Sequence, residues 1–184
     1  MNEAKTKTIK FLERAEVEAI ISSIKQTGMR NLRDRALFEV LWSTGLRIAE
    51  CIALPDAPFI KNREQTLEMS ITGKGGYTRT IYFSPQALKA IKYYLTERKD
   101  SGTELFLITI RRAQQIIKDR SLSAGFEGIH PHSLRHSFGT YILSKTGNIR
   151  LCQEMLGHRS ITSTMLYTHI TSRELKLEHN KLFK

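Results

Sequence analysis

Only two cysteines occur among the 184 residues, so a disulfide framework is excluded. Cys51 and Cys152 also lack the paired spacing of a zinc site. Both sit in apolar helical surroundings, as buried small hydrophobes of a reducing compartment do. Long apolar runs are missing too. None approaches the roughly 18 residues of a membrane-spanning helix, so neither a span nor a membrane partner is expected. Lys5, Lys7 and Lys10 open the chain without an apolar stretch behind them, so no secretory leader is expected. Internal repeats and low-complexity tracts are absent. Acidic residues are scarce: 18 Asp and Glu face 29 Lys and Arg, a formal charge of +11. That surplus favours a polyanionic partner, most simply nucleic acid, over a basic surface that binds nothing. No Asp/Glu cluster suggests a two-metal site.

What the chain does have is helical periodicity around one alternating stretch. The length suits one domain, or a domain with appendages. Val17, Ile20, Ile21 and Ile24 follow the spacing of one helix face, with Gly28 as its end. Leu32, Ala36, Leu37, Val40 and Leu41 predict a second helix closing at Ser43-Thr44-Gly45. A third starts at Leu46, with Thr44 as a candidate N-cap. Leu67, Met69 and Ile71 then alternate with polar residues. The turn Gly73-Lys74-Gly75-Gly76 and the run 77–83 follow, which reads as a β-hairpin. Ser84-Pro85 opens a helix with Leu88, Ile91 and Leu95 inward. Further helices are predicted around Ala113, Ile116 and Ile117, from Pro131 to about Lys145, and from Asn148 to Leu156-Gly157. A short helix should carry Tyr167, followed by an amphipathic tail. The predicted class is α+β: mainly helical, with a small antiparallel sheet.

Six residues carry the chemistry: Arg47, Lys74, His132, Arg135, His158 and Tyr167. They supply two guanidinium forks, one ammonium, two imidazoles and a phenol, a set that suits a phosphate diester. His132, Arg135 and His136 share one side of their helix, opposite Leu134, Phe138, Tyr141 and Ile142. The apolar side belongs to the core, so the His-Arg-His side is expected outward or in a cleft. His132 and His136 also have zinc-ligand spacing. Arg135 between them would repel a divalent cation yet fork onto a phosphate. Arg47 is expected about the third residue of its helix, where free N–H groups favour an anion, with Glu50 placed to orient it. A plain surface ion pair is the alternative. Lys74 sits in a glycine-flanked turn that lets backbone approach a ligand, although Gly-Lys-Gly-Gly also serves as a simple turn. It lacks the longer pattern of a nucleotide phosphate loop. His158 follows a helix-ending Gly157. Tyr167, taken alone, is more often a half-buried aromatic than a nucleophile.

The order of these patterns resembles one family. Thr44-Gly45-Leu46-Arg47-Ile48-Ala49-Glu50 resembles the first arginine box of the tyrosine recombinases, the phage integrase family. Thr72-Gly73-Lys74-Gly75 is similar to its β-hairpin lysine. His132-Ser133-Leu134-Arg135-His136-Ser137-Phe138 is similar to its His-x-x-Arg box. Leu156-Gly157-His158 through Tyr167-Thr168-His169 resembles its Leu-Gly-His and tyrosine segment, spacing included. The resemblance covers about residues 12 to 183. It departs shortly after the lysine turn, where the family usually has a basic residue and this chain has Tyr77 before Arg79, and between Phe106 and Arg111, where the segment is shorter.

The resemblance implies a catalytic domain over 12–172, a polar lead-in at 1–11 and a tail at 173–184 that packs in cis or on a neighbouring protomer through Leu175, Leu182 and Phe183. It implies a site-specific recombinase of the integrase/Xer kind, joining DNA to Tyr167 as a 3′-phosphotyrosyl intermediate. Arg47 and Arg135 would hold the phosphate, Lys74 would protonate the leaving oxygen, His132 would assist Tyr167 and His158 would donate to a phosphate oxygen. His130, His136, His169 and His179 are read as structural. No cofactor or metal is implied. The partners implied are double-stranded DNA and further copies of the chain, four in the synapse, from a monomer in solution. The setting implied is cytoplasmic and nucleoid-associated. The chain starts almost where such a catalytic domain would, without the helical N-terminal domain that usually completes the clamp, so weaker DNA binding is expected. Two alternatives stand beside this: a silent DNA-binding module, and a type IB topoisomerase-like enzyme. Because the set needs no metal, DNA cleavage should persist in EDTA. Loss of cleavage on chelation would restore the zinc reading.

Overall fold

Eight helices and one two-stranded hairpin make up the described residues, 11–61, 67–73, 76 and 78–157, of the computed structural model. Helix α1 (Arg14–Ser23) begins where the Glu13 N–H donates to Glu16 Oε2 at 2.8 Å, and it buries Val17, Ile20 and Ile21. It ends well short of Gly28. Ile24 turns extended and drops its side chain into the core, while Gly28, at φ +78°, instead opens helix α2 (Met29–Thr44). A buried apolar side chain thus ends the helix before the glycine can.

Helix α2 is the axis of the domain, packing against helices on several sides and against the hairpin. Its polar residues are satisfied where they are buried: Asp34 pairs with Arg33 and Arg120, both at 2.7 Å, tying α2 to helix α6 (Ile110–Ser123). Helix α3 (Ile48–Ile52) follows directly, and helix α4 (Ala57–Lys61), which the alternation of the sequence does not announce, buries Phe59 against Phe83. Strand β1 (Leu67–Thr72) pairs antiparallel with β2 (Thr78–Phe83), with Leu67 opposite Phe83 and Thr72 opposite Thr78. The turn is closed by the Gly76 N–H donating to Gly73 O at 3.2 Å.

Helix α5 (Pro85–Glu97) is capped by Ser84 Oγ accepting from the Ala87 N–H, as its Ser-Pro opening predicts. Ala87, Ala90, Ile91 and Tyr94 lie deepest, with Leu88 and Leu95 at the flanks. Helix α7 (Pro131–Thr146) is capped by the His130 ring nitrogen, and helix α8 (Ile149–Leu156) by Asn148. Both cysteines are buried: Cys51 in the main core, and Cys152 in a satellite cluster with Phe138 and Leu156. Burial raises the Cys51 thiol pKa and pushes that of Cys152 up to about 11, so both behave as inert hydrophobes. Among the described residues no helix is long and apolar enough to cross a membrane.

The junction of α2 and α3 is fixed by Gly45. It adopts φ +61°, and a Cβ there would stand 2.7 Å from Phe138 Cε1 and 3.1 Å from Leu156 Cδ2. Gly45→Ala therefore meets both backbone strain and overpacking. It should destabilise the domain by roughly 2–4 kcal/mol, read as a fall in Tm of about 5–15 °C. An unchanged Tm would show that the junction relaxes freely.

Candidate functional site

The site grows out of the way three segments end. Helix α2 stops at Gly45, helix α8 stops at Gly157 with φ +66°, and helix α7 passes between them. Arg135 of α7 is buried and spans the gap. Its Nη1 donates to Gly45 O and its Nη2 to Leu156 O, each at 2.5 Å. The carbonyls at helix C-termini carry no intrahelical partner and concentrate negative dipole, so a guanidinium is the natural group to seat there.

Arg47 lies two residues beyond Gly45. It is the N-cap of α3, not a residue inside the helix as its position suggests, and Thr44 does not cap α3. Thr44 Oγ1 instead donates to Val40 O and accepts from the Leu46 N–H. Glu50 accepts the Arg47 backbone N–H at Oε2 (2.9 Å) and its Nη1 at Oε1 (3.0 Å). The contact between these two residues, which both the orienting and the ion-pair readings require, is therefore present.

A third arginine completes the cluster. Arg79 of β2 forks onto the same carboxylate, Nη2 to Oε2 at 2.7 Å and Nη1 to Oε1 at 3.3 Å, with its side chain only 3% exposed. Its stem lies on the bare Cα of Gly157, where a Cβ would stand 2.8 Å from Arg79 Cδ. Arg79 Nε is buried without a partner among the described residues. Burial alone would raise the Glu50 pKa. The hydrogen bonds from Arg79 and from the Arg47 backbone outweigh it and hold the carboxyl down to about 2. Sequence reasoning noted Arg79 only as following Tyr77. Strand alternation could have flagged it, because Arg79 is in phase with inward-facing Ile81 and Phe83.

Helix α7 differs from its expected amphipathicity. His132 is exposed on the first turn, its ring 6.3 Å from that of His130. Arg135 and His136 are buried, as are residues 133–139 throughout, so the first half of this helix is packed on nearly every side, while residues 144–146 are exposed. His136 stacks on Phe11 at 5.7 Å and meets Thr140 Oγ1 at 3.2 Å, while the Leu12 N–H donates to Ser137 Oγ at 2.7 Å. The segment before α1 is thereby strapped onto the helix that bears Arg135. The zinc-like spacing of His132 and His136 resolves into one exposed and one buried ring. Among the described residues no group of three or more metal-ligating side chains converges. The His130 pKa is lowered, first by burial and then by the neighbouring His132.

The structure thus brings Arg47 and Arg135 to one junction and sets His132 on the first turn of the helix that carries Arg135. Lys74, His158, Tyr167 and the whole tail lie outside the described residues. The flanks of two of them are described. Gly73 and Gly76 bracket Lys74, and Gly157 precedes His158 beside Arg79.

The fold is a mostly helical domain with one small hairpin, in which arginines from two separate sequence boxes flank one junction of helix ends. The phage integrase family profile matches residues 10–174, and the chain belongs to that family. It is 33% identical over 193 residues to the tyrosine recombinase XerC of Lacticaseibacillus casei (strain BL23), covering 94% of this chain and 62% of that protein. It is 36% identical over 176 residues to the tyrosine recombinase XerD of Corynebacterium glutamicum, covering 88% and 57%. The crystal structure of the XerH site-specific recombinase, bound to palindromic difH substrate in a post-cleavage complex, aligns with a TM-score of 0.80 and 25% identity. That alignment covers 100% of this chain and 56% of that one. The chain therefore spans about three-fifths of the length of such relatives.

The low Glu50 pKa makes a testable statement about stability. A carboxyl held below its ordinary 4.5 in the fold contributes stability above that pH and loses it as pH falls toward about 2. The contribution is on the order of 2–3 kcal/mol. Glu50→Gln should lower stability at neutral pH and flatten the loss on acidification, measured by urea unfolding at stepped pH. Parallel curves for the two proteins would show that Glu50 is not the linked group.

Proposed function

We propose that this chain is the catalytic domain of a site-specific tyrosine recombinase of the Xer/integrase kind, which cuts and rejoins double-stranded DNA through Tyr167. The observation that carries the reading is the convergence of four sequence boxes at one junction. Arg47, the strand that follows Lys74, the helix of His132 and Arg135, and the Leu156-Gly157 turn before His158 are tied together by buried arginines. Family membership and the DNA-bound state of the XerH relative support it.

In this reading the domain runs over 12–172. Tyr167 attacks the scissile phosphorus, its phenolic proton passing toward His132. The bond to the 5′-oxygen breaks, and Lys74 gives that oxygen its proton, a transfer worth roughly two to four decades in rate. A 3′-phosphotyrosyl bond and a free 5′-hydroxyl result, and attack by a hydroxyl reverses the step. A phenol with pKa near 10 needs such help at neutral pH. Arg47 and Arg135 hold the non-bridging oxygens and the charge that grows on them, each contact worth on the order of 3 kcal/mol. His158 donates to a phosphate oxygen. The phosphate stays covalently stored, so joining needs no external energy source. The tail, 173–184, packs on its own domain or on a neighbour, and four copies act on two duplexes in a cytoplasmic, nucleoid-associated setting.

A suicide substrate, a DNA duplex nicked near the cleavage point, should trap a covalent protein–DNA band that survives denaturing electrophoresis. Tyr167→Phe should abolish the band. No band with any family-type site would favour a silent binding module. Relaxation of a supercoiled plasmid lacking paired sites would favour a topoisomerase-like enzyme.

A further inference from the structure

We infer that Arg79 is a positioning residue for DNA cleavage, one that keeps Arg47 singly paired and available to the scissile phosphate by occupying both oxygens of Glu50. The inference rests on the recombinase reading above and adds to it a residue that never touches DNA.

The geometry supports it in three steps. First, Glu50 is the orienting group of Arg47, and a carboxylate offers a guanidinium two oxygens for a two-pronged pair. Left alone with Glu50, Arg47 would close into that pair, and two of its donors would be spent on a neutral, internally satisfied couple. Second, the pair does not form. Arg79 already forks onto the carboxylate at 2.7 and 3.3 Å, and the Arg47 backbone N–H takes a further share of Oε2. Among the described residues the Arg47 side chain makes one hydrogen bond, Nη1 to Oε1, and it remains 37% exposed against 3% for Arg79. The buried arginine satisfies the carboxylate, and the exposed arginine keeps its remaining N–H groups for an arriving anion. Third, Arg79 cannot drift. Its stem rests against Gly157, its own strand pairs Arg79 opposite Ile71, and Ile81 and Phe83 anchor that strand in the core. One buried side chain therefore links the strand after Lys74, the Arg47–Glu50 pair and the turn before His158.

Two guanidinium groups on one carboxylate also leave a net positive charge beside the junction, which suits a phosphate diester. Lysine at position 79 would keep that charge but not the fork. Glutamine would lose both.

Single-turnover cleavage of a suicide substrate and DNA affinity are measured separately for the wild-type chain, Arg79→Lys, Arg79→Gln, Glu50→Gln and the Arg79→Lys/Glu50→Gln double variant. All are checked for folding by circular dichroism at low temperature. The expected result is a cleavage rate reduced about tenfold to a hundredfold in both Arg79 variants, the cost of a misplaced contact, with affinity within about threefold of wild type. In the Glu50→Gln background, Arg79→Lys should cost nothing further, since Arg79 acts through that carboxylate. Cleavage within threefold of wild type in Arg79→Gln, an additive double variant, or loss of folding in both Arg79 variants would each overturn the inference. A wild-type chain that forms no covalent band would instead overturn the recombinase reading, which Tyr167→Phe tests on its own.

Discussion

The structure depends on one carboxylate shared by two arginines. Glu50 sits at the mouth of a short helix, accepts the N-cap N–H of that helix, and draws in Arg47 from its own segment and Arg79 from the hairpin. Charge of one sign dominates this chain, so an acidic group placed there has disproportionate effect. It turns what would be repulsion between two guanidinium groups into a joint between α3 and β2. The depressed pKa of Glu50 records that work, because burial alone would have raised it.

Arg135 solves the complementary problem. Two helices end at glycines in the left-handed conformation, and their last carbonyls face inward where water cannot reach them freely. A guanidinium delivered by α7 satisfies one carbonyl from each. The glycines are required by their neighbours as much as by their backbone angles. Phe138 fills the space over Gly45, and Arg79 fills the space over Gly157. The same packing that ends the helices thus sets the distance between the boxes, which in sequence lie far apart.

This explains which features were legible beforehand. Helix caps with side-chain signals, Ser84-Pro85 and Asn148, are legible in the sequence because their physics is local. The hairpin was legible from alternation. The sequence pattern overextends the first helix, because the burial of Ile24 that ends it is a tertiary event. The sequence sets Arg47 inside its helix, because Thr44 is the better local cap candidate, but the Thr44 hydroxyl bonds within α2, to Val40 O. Periodicity predicts an open face for α7, because it assigns one core side to a helix. The first half of this helix is enclosed, with the Phe11–Leu12 strap on one flank and α2 and α8 on others.

Enclosure of α7 bears directly on chemistry. A guanidinium on an open helix face would wander through many rotamers and would have to be immobilised again each time an anion arrived. Held at two carbonyls in a packed stretch of helix, Arg135 has already met that entropic cost during folding, so under the proposed recombinase reading an arriving phosphate finds a donor fixed in place. Arg47 has the opposite design, anchored at one nitrogen and otherwise exposed. In the proposed reading, one arginine defines where the anion sits, and the other retains the freedom to close on it. The shared carboxylate mediates between them: it binds Arg47 firmly enough to aim it, while the buried Arg79 keeps that grip from becoming complete.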